Sequence, residues 1–199
     1  MPEFLIQQAA HLEMPAIALL DRNGVYGAPR LHMEGRRRGV RAHIGAGIGV
    51  SDMGQRLRPA SYLPHLHPIE PVRLPLLVES RTGYQNLCRL ITRFKLREST
   101  KAEGAALMSD VEENGEGLVC LTGGSEGPLA AALAGGGYDA AQKTVERLVN
   151  LFGPQNVYVE IQRHFDREEE HRNRAAIRIA RSLNLPLLAT GGVNYATQY

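Results

Sequence analysis

Two histidines separated by one residue, His65 and His67, have the spacing of metal ligands, because alternate side chains of an extended segment lie on one face. They stand in the proline-rich stretch YLPHLHPIEP, where the only carboxylate is Glu70. Such an isolated pair offers too few donors for a metal centre. We therefore interpret both histidines as solvent-exposed loop residues.

Asp21 and His164 follow apolar runs that are typical of buried strands. Asp21 comes directly after the run Ala16–Leu20, and His164 ends the stretch VYVEIQRH. Catalytic side chains of parallel α/β folds gather at the carboxyl ends of strands. The pattern makes both residues candidates for a site. The alternatives are that Asp21 only marks where a site would lie, and that His164 is an ordinary polar residue at a strand end.

The glycine-rich stretch LTGGSEGP, residues 121–128, lies between a predicted strand and a predicted helix. Backbone N–H groups at the start of a helix could hold a phosphate there. However, the stretch matches neither the Walker pattern nor the dinucleotide fingerprint. We interpret it as a glycine-rich turn in which Ser125 caps the following helix.

Two charged runs lie at the ends of predicted helices. Arg36, Arg37 and Arg38 close one helix, and residues 166–170, which are largely acidic, open another. The helix dipole favours cations at the carboxyl end of a helix, where the arginines lie, and anions at the amino end, where the acidic run lies. Helix-end stabilisation accounts for both runs without a binding partner.

The elements that position these residues alternate between apolar runs typical of strands and the apolar spacing typical of helices. Strands are predicted at Ala16–Leu20, Ala42–Ile48, Leu74–Val78, Gly117–Leu121, Val157–Ile161 and Pro186–Ala189. Helices are predicted at Pro2–Glu13, Pro29–Arg38, Gly83–Arg97, Glu126–Ala134, Tyr138–Phe152 and Asp166–Leu183. Residues 51–73 form an irregular insert, and Lys95–Asn114 is a polar connection with room for a short helix. Alternation of this kind predicts a parallel α/β sheet, either open or forming most of a barrel.

Composition indicates an ordinary globular domain. The chain has 199 residues, a formal net charge of +2 and two cysteines. The charge gives no global argument for an acidic partner, and two cysteines in apolar surroundings cannot form a disulfide framework. No apolar run reaches the length of a membrane span, and the first residues lack the features of a signal peptide. These observations predict a cytoplasmic protein that has no contact with a membrane.

Several stretches together resemble one family. DRNGVYGAPRLH, RAHIGAGI, LPLLVESRTGYQNLCRLITRFKLR, VYVEIQRHFDREEEHRNRAAIRIARSLNLPLLAT and GGVNYAT occur in this order. They are similar to the PHP (polymerase and histidinol phosphatase) domain at the front of bacterial C-family DNA polymerases. Among these the chain most resembles the error-prone type, a relative of the DNA polymerase III alpha subunit. The resemblance covers nearly the whole chain, so residues 1–199 are expected to be one PHP domain.

This resemblance implies a distorted (β/α)7 TIM-like barrel with a metal cluster at the carboxyl ends of its strands. Active members build the cluster from histidine, aspartate and glutamate, and use it for phosphoester hydrolysis or for proofreading. The family carries a His-x-His pair on an opening strand, just before the first helix. This sequence begins at that helix, so we expect an N-terminally truncated domain from a longer polymerase, without the first strand.

The matched positions have lost most ligands of the family. Leu20-Asp21-Arg22 stands for the usual Thr-Asp-His, Gly47 takes the place of a glutamate, and Arg73 aligns with a histidine. His164 matches a ligand position and is the one weak metal candidate.

The last strand departs from the family in the same way. Gly192-Val193-Asn194 replaces the usual Asp-Val-His. Together with the positions above, Gly192 and Asn194 complete what we interpret as the rim of a vestigial site, without a catalytic residue.

The resemblance thus implies a structural module that needs no cofactor. Such a domain would brace the palm and thumb of the polymerase, and the parent enzyme would contact DNA and support translesion synthesis and repair. The polymerase carboxylates are not expected in this chain. One alternative is a degenerate metal-dependent phosphoesterase or proofreading exonuclease that binds zinc or manganese weakly. Another is an independent small protein with an unrelated binding role.

Overall fold

A computed structural model describes residues 2–56, 70–97, 104–193 and 195–196. His65 and His67 fall between the first two ranges, and Asn194 falls between the last two. The hypotheses about these three residues therefore lie outside the described residues.

The described residues form an α/β fold. Its strands are β1 (Ala16–Arg22), β2 (Arg41–Arg56), β3 (Glu70–Val78), β4 (Leu118–Leu121), β5 (Val157–Ile161) and β6 (Leu187–Ala189). Its α-helices are α1 (Pro2–His11), α2 (Ala28–Arg38), α3 (Arg81–Arg97), α4 (Met108–Glu113), α5 (Pro128–Phe152) and α6 (Arg167–Ser182). None of these helices is long and apolar enough to cross a membrane.

The predicted strands are all present, but two pairings differ from the prediction of a parallel sheet. The strand order is β1-β2-β3-β4-β5-β6, and the sheet curls into a half-barrel. β3 runs antiparallel to both of its neighbours, whereas the other pairs are parallel. The edge at which the parallel strands end, called the carboxyl rim below, is therefore also the edge near which β3 begins.

The reversal of β3 has a visible cause in the sequence. A parallel pair needs a crossover, which is usually a helix, and no helical pattern separates β2 from β3. The predicted insert at residues 51–73 is partly regular, because β2 continues to Arg56 and β3 starts at Glu70. In register, Gly49 pairs with Arg73 and Gly47 with Pro75, which brings Arg73 to the carboxyl rim.

Two clusters of buried side chains join the helices to the sheet. Its larger cluster joins the sheet to α3, α4, α5 and α6 through fully buried side chains such as Leu74, Phe94 and Val159. A smaller cluster packs Ile6 of α1 and Leu31 of α2 against β1 and β2.

The helix α5 joins the two helices predicted on either side of residues 135–137. Gly137 interrupts it with a positive φ of 71°, a conformation that is favourable for glycine and costly for other residues. A side chain at Gly137 would meet no neighbouring atom, so backbone conformation alone accounts for the glycine there. The two predicted segments were therefore correct, although the chain stays continuous between them.

The ends of the sheet are β1 and β6. Each pairs with one neighbour among the described residues. A half-barrel of this kind matches the α/β class, while a closed (β/α)7 barrel is not formed by the described part of the chain.

A buried carboxylate fixes the helices behind β2 and β3. Asp110 on α4 is 1% exposed and forms ion pairs with Arg93 and Arg97 of α3. It also accepts a hydrogen bond from the Leu107 backbone N–H at 2.8 Å. Burial is the largest single effect and disfavours the charged carboxylate. The hydrogen bonds from Arg97 and the Leu107 backbone and the charges of both arginines together outweigh it, so the pKa of Asp110 lies below its usual value.

Replacing Asp110 by alanine should destabilise the fold by about 1–3 kcal/mol, because it leaves the Leu107 N–H and two guanidinium groups without their shared acceptor. The arginines are half-exposed and can rehydrate, which limits the loss. Since the pKa of Asp110 is lowered, its contribution is present above the ordinary carboxyl pKa and is lost as the pH falls through the lower, folded value.

Urea denaturation at neutral and acidic pH measures this effect. Glu112→Ala is the matched control, since Glu112 pairs with Arg147 at 3.5 Å on the surface and should change stability by less than about 0.5 kcal/mol. Equal losses for the two variants at neutral pH would contradict the role given to Asp110.

Candidate functional site

The carboxyl rim brings together the residues that the sequence places at a vestigial site. Arg22 pairs in register with Gly47, and Arg73 approaches them from the antiparallel strand β3. His164 follows β5, and Gly192 follows β6. The loop between β4 and α5 lies between these two groups, since a Cβ at Gly124 would touch Gln162. Arg22, Gly47, Arg73, His164 and Gly192 therefore lie along one rim.

Glu126, in the loop before α5, binds both rim arginines. Its carboxylate accepts two hydrogen bonds from Arg22 Nη2, at 3.1 and 2.9 Å. Arg73 Nε donates to Glu126 Oε2 at 3.0 Å, and the Arg73 backbone N–H donates to the Glu126 carbonyl at 2.9 Å. One carboxylate thus connects β1, β3 and the β4–α5 loop; we call these three residues the arginine–glutamate bridge.

Gly47 makes room for this bridge. A Cβ at Gly47 would lie 3.0 Å from Cδ and 3.1 Å from Cγ of Arg73, so the arginine stem passes directly over the glycine. Arg73 Nη1 also donates to the Gly47 carbonyl at 3.0 Å. The loss of a side chain at position 47 and the presence of arginine at position 73 are therefore sterically coupled.

The residues after β1 serve the local loop. The Gly27 N–H donates to Asp21 Oδ2 at 2.6 Å, so Asp21 hydrogen-bonds the loop that begins at Arg22. Asn23 takes a positive φ of 50°, as expected for a turn residue. Its side chain accepts from the Gly49 N–H at 2.7 Å and donates to the Gly104 carbonyl at 3.0 Å.

The prediction that Ser125 caps α5 was wrong. The helix begins at Pro128 and its N-cap is Gly127, without a side-chain hydrogen bond. A Cβ at Gly127 would lie 2.3 Å from the Thr122 carbonyl oxygen, so the loop is too tight there for any other residue. This tight path turns Glu126 toward the arginines.

Both ring nitrogens of His164 have acceptors as partners. Nδ1 lies 2.8 Å from Glu169 Oε1, and Nε2 lies 2.9 Å from the Gly191 carbonyl oxygen. The His164 backbone N–H donates to the same carboxylate. Because a carboxylate and a carbonyl only accept hydrogen bonds, this geometry favours a doubly protonated imidazolium. The ring therefore has no free lone pair for a metal.

Electrostatics agree with this assignment. The hydrogen bond to the Gly191 carbonyl, followed by that to Glu169, raises the pKa of His164 above 6.5. The hydrogen bond from the His164 backbone, together with the imidazole, lowers the pKa of Glu169 below 4.5. Arg172, 3.5 Å from Glu169, adds a second cation. His164 thus ties the end of β5 to the segment after β6.

Polar side chains hold the rim beside Gly192. Gln162 Nε2 donates to Glu160 Oε1 at 2.9 Å and to Thr190 Oγ1 at 3.2 Å. Gly192 has a positive φ of 57°, and a Cβ there would approach the Gln162 amide at 3.2 Å. The position that carries aspartate in the family is thus a turn packed against an amide.

The described residues do not fit the metal cluster that the resemblance implies. No group of three histidine, cysteine, aspartate or glutamate side chains among them could hold a metal ion. Arg22 and Arg73 are ion-paired, Gly47 has no side chain, and both ring nitrogens of His164 face hydrogen-bond acceptors. A neighbouring guanidinium also opposes cation binding.

Glu126 and Glu169 are the functional residues that sequence reasoning missed. Glu126 was assigned to a helix start and Glu169 to a solvated acidic run. Glu169 is 5% exposed, which a surface residue would not be. Arg22 and Arg73 indicate that an acidic residue lies near them, because cations at a crowded rim need a counter-charge. The sequence does not show which of the many carboxylates this is.

Comparison with known proteins gives the following relationships. The sequence matches the PHP domain family over residues 1–164. An error-prone DNA polymerase of Mycolicibacterium paratuberculosis is 30% identical over 98% of this chain and 17% of its own length. One from Anaeromyxobacter is 33% identical over 97% of this chain and 15% of its length. DNA polymerase III subunit alpha of Caulobacter vibrioides is 30% identical over 94% of this chain and 16% of its own length.

A crystal structure from Bifidobacterium adolescentis, assigned as a metal-dependent phosphoesterase, has a similar fold. The TM-score is 0.57 at 13% identity, and the match covers 100% of this chain and 83% of that one. At this identity the likeness concerns the fold alone. The chain spans 15–17% of the length of the polymerases cited above.

The arginine–glutamate bridge should show unequal couplings in double-mutant cycles. Arg73 is 19% exposed and should couple to Glu126 by about 1 kcal/mol. Arg22 is 61% exposed and should couple by less than about 0.5 kcal/mol. Urea denaturation of the single and double alanine variants measures both values, and a negligible Arg73–Glu126 coupling would refute the bridge.

The variant His164→Gln should lose thermal stability in a pH-dependent way. Because the pKa of His164 is raised, its contribution is complete below 6.5 and is lost as the pH rises through the higher, folded value. The lowered pKa of Glu169 removes the contribution again in acid. The difference in melting temperature from wild type should therefore be largest between 4.5 and 6.5 and smaller in alkali. A difference independent of pH would contradict the imidazolium.

Proposed function

The chain belongs to the PHP domain family, and from that membership we propose that it is a catalytically silent, metal-independent PHP domain with a structural role in an error-prone DNA polymerase. The observation that carries this proposal is the arginine–glutamate bridge. It occupies with Arg22 and Arg73 two positions at which the family would place histidine ligands.

The chemistry of phosphoester hydrolysis supports this conclusion. Neighbouring divalent metals would supply a hydroxide and would stabilise the attacking and leaving oxygens. Several anionic or neutral donors must converge to hold them. The described rim instead offers two guanidinium groups, Gly47 without a side chain and the imidazolium of His164.

The bridge provides the structural role that remains at the rim. It joins two strands and the β4–α5 loop through one carboxylate, while His164 joins the ends of β5 and β6 through Glu169 and Gly191. We propose that these contacts keep the rim ordered without metal.

The relatives indicate the larger setting. Those cited above are named error-prone DNA polymerase or DNA polymerase III alpha, and each is several times longer than this chain. We propose that residues 1–199 act as one domain that braces the palm and thumb of such a polymerase. The parent enzyme would perform nucleotidyl transfer on damaged DNA during translesion synthesis or repair.

Metal analysis of the untagged, purified protein, paired with a phosphoester assay in added manganese or zinc, tests this function. We expect less than one tightly bound metal per chain and hydrolysis no faster than that of a heat-inactivated sample. Two or more tightly held metals, with activity abolished by His164→Ala, would instead support a metal-dependent phosphoesterase.

A variant with the family ligands put back tests whether the rim can gain metal binding. Arg22→His/Gly47→Glu/Arg73→His restores the family ligands at the three positions and removes the bridge cations. Metal affinity should rise relative to wild type, as measured by isothermal titration with manganese. The control Arg163→His adds an imidazole outside these positions and should leave affinity unchanged.

A further inference from the structure

We propose that the end of α2 and the start of β2 form a binding surface for the phosphate backbone of double-stranded DNA. The surface, called the α2 patch, consists of Arg36, Arg37, Arg38 and Arg41. Residues 34–41 hold these four arginines and one glutamate, a surplus of three positive charges in a chain whose net charge is only +2.

Intramolecular pairing neutralises only part of the patch. Glu34 is 9% exposed and pairs with Arg38 at 2.6 Å, while Arg37 lies 3.6 Å from the same carboxylate and is 72% exposed. Arg36 and Arg41 are exposed and form no ion pair with the described residues. On the packed helix α1, Glu3 pairs with Arg30 near the beginning of α2. The helix dipole explains why cations are tolerated at this helix end, but a single shared carboxylate leaves most of their charge to the solvent.

The backbone holds these arginines together. Gly39 adopts the left-handed conformation with φ 72° and ends α2, and the Val40 N–H donates to the Gly35 carbonyl at 3.0 Å. The Arg41 N–H then donates to the Pro15 carbonyl at 3.1 Å, which fixes the start of β2 beside β1. Arg41 is thus anchored directly after the helix end that carries the other three cations.

The composition of the patch favours a duplex over a single strand. Proteins that bind single strands combine cations with aromatic side chains on which bases stack. Residues 27–43 contain no phenylalanine, tyrosine or tryptophan. The exposed Tyr26 and Phe165 lie by the carboxyl rim, at the other end of the sheet from Arg41. Contacts from this surface would reach phosphates without reading bases, and the higher charge density of duplex DNA makes it the better partner.

Fluorescence anisotropy with a short labelled duplex, in EDTA and over a range of salt concentrations, tests this proposal. Release of counterions from about three phosphate contacts predicts a slope near −3 in a plot of log K against log salt. Arg36→Ala/Arg37→Ala/Arg41→Ala should weaken binding at low salt by at least about tenfold and bring the slope close to zero. Arg36→Gln/Arg41→Gln, which breaks no ion pair, should show an intermediate loss while circular dichroism stays unchanged.

A second triple variant tests whether the loss of three positive charges, wherever they lie, is enough to weaken binding. Arg167, Arg174 and Arg181 are exposed on α6 and form no ion pair with other described residues, so their replacement by alanine removes the same charge elsewhere. This control should bind the duplex like wild type. Equal weakening by both triple variants, tighter binding of single strands, or binding of an acidic polypeptide in place of DNA would each overturn the proposal. Because EDTA is present, the outcome is independent of whether the rim holds metal.

Discussion

The ordering of the carboxyl rim depends on one carboxylate that two cations share. Glu126 meets Arg22 from β1 and Arg73 from β3, and its backbone is also hydrogen-bonded to that of Arg73. Two guanidinium groups brought to one crowded edge would repel each other without an anion between them. The shared carboxylate therefore removes the repulsion between the two arginines and connects β1, β3 and the β4–α5 loop. A bound cation would connect acidic ligands in the same way.

The bridge requires particular features of the surrounding fold. β3 runs antiparallel, which brings Arg73 to the carboxyl rim, and the arginine stem passes over Gly47, where there is no side chain. The loop after β4 must turn tightly, which the contact between Gly127 and Thr122 enforces. The residues at the rim of this chain thus fit one another in charge and in shape.

His164 shows that retention of a residue type does not preserve its chemistry. The residue matches a ligand position of the family, yet its ring is held between Glu169 and the Gly191 carbonyl. Both contacts favour the protonated ring, whereas a metal needs a neutral ring with an open lone pair. The same histidine serves here as a cationic connector between two strand ends.

The sequence by itself determined the strands, most of the helices and the residue types at positions 22, 47 and 73. These features depend on local periodicity and on short motifs, which neighbouring residues encode. Only the tertiary structure decided the direction of β3, the use of His164 and the choice of Glu126 as counter-charge. Arg22 and Glu126 are separated by 104 residues along the chain, and many carboxylates are available. Which of them reaches the rim depends on how the strands pair and how one loop turns, and packing of the whole half-barrel determines both.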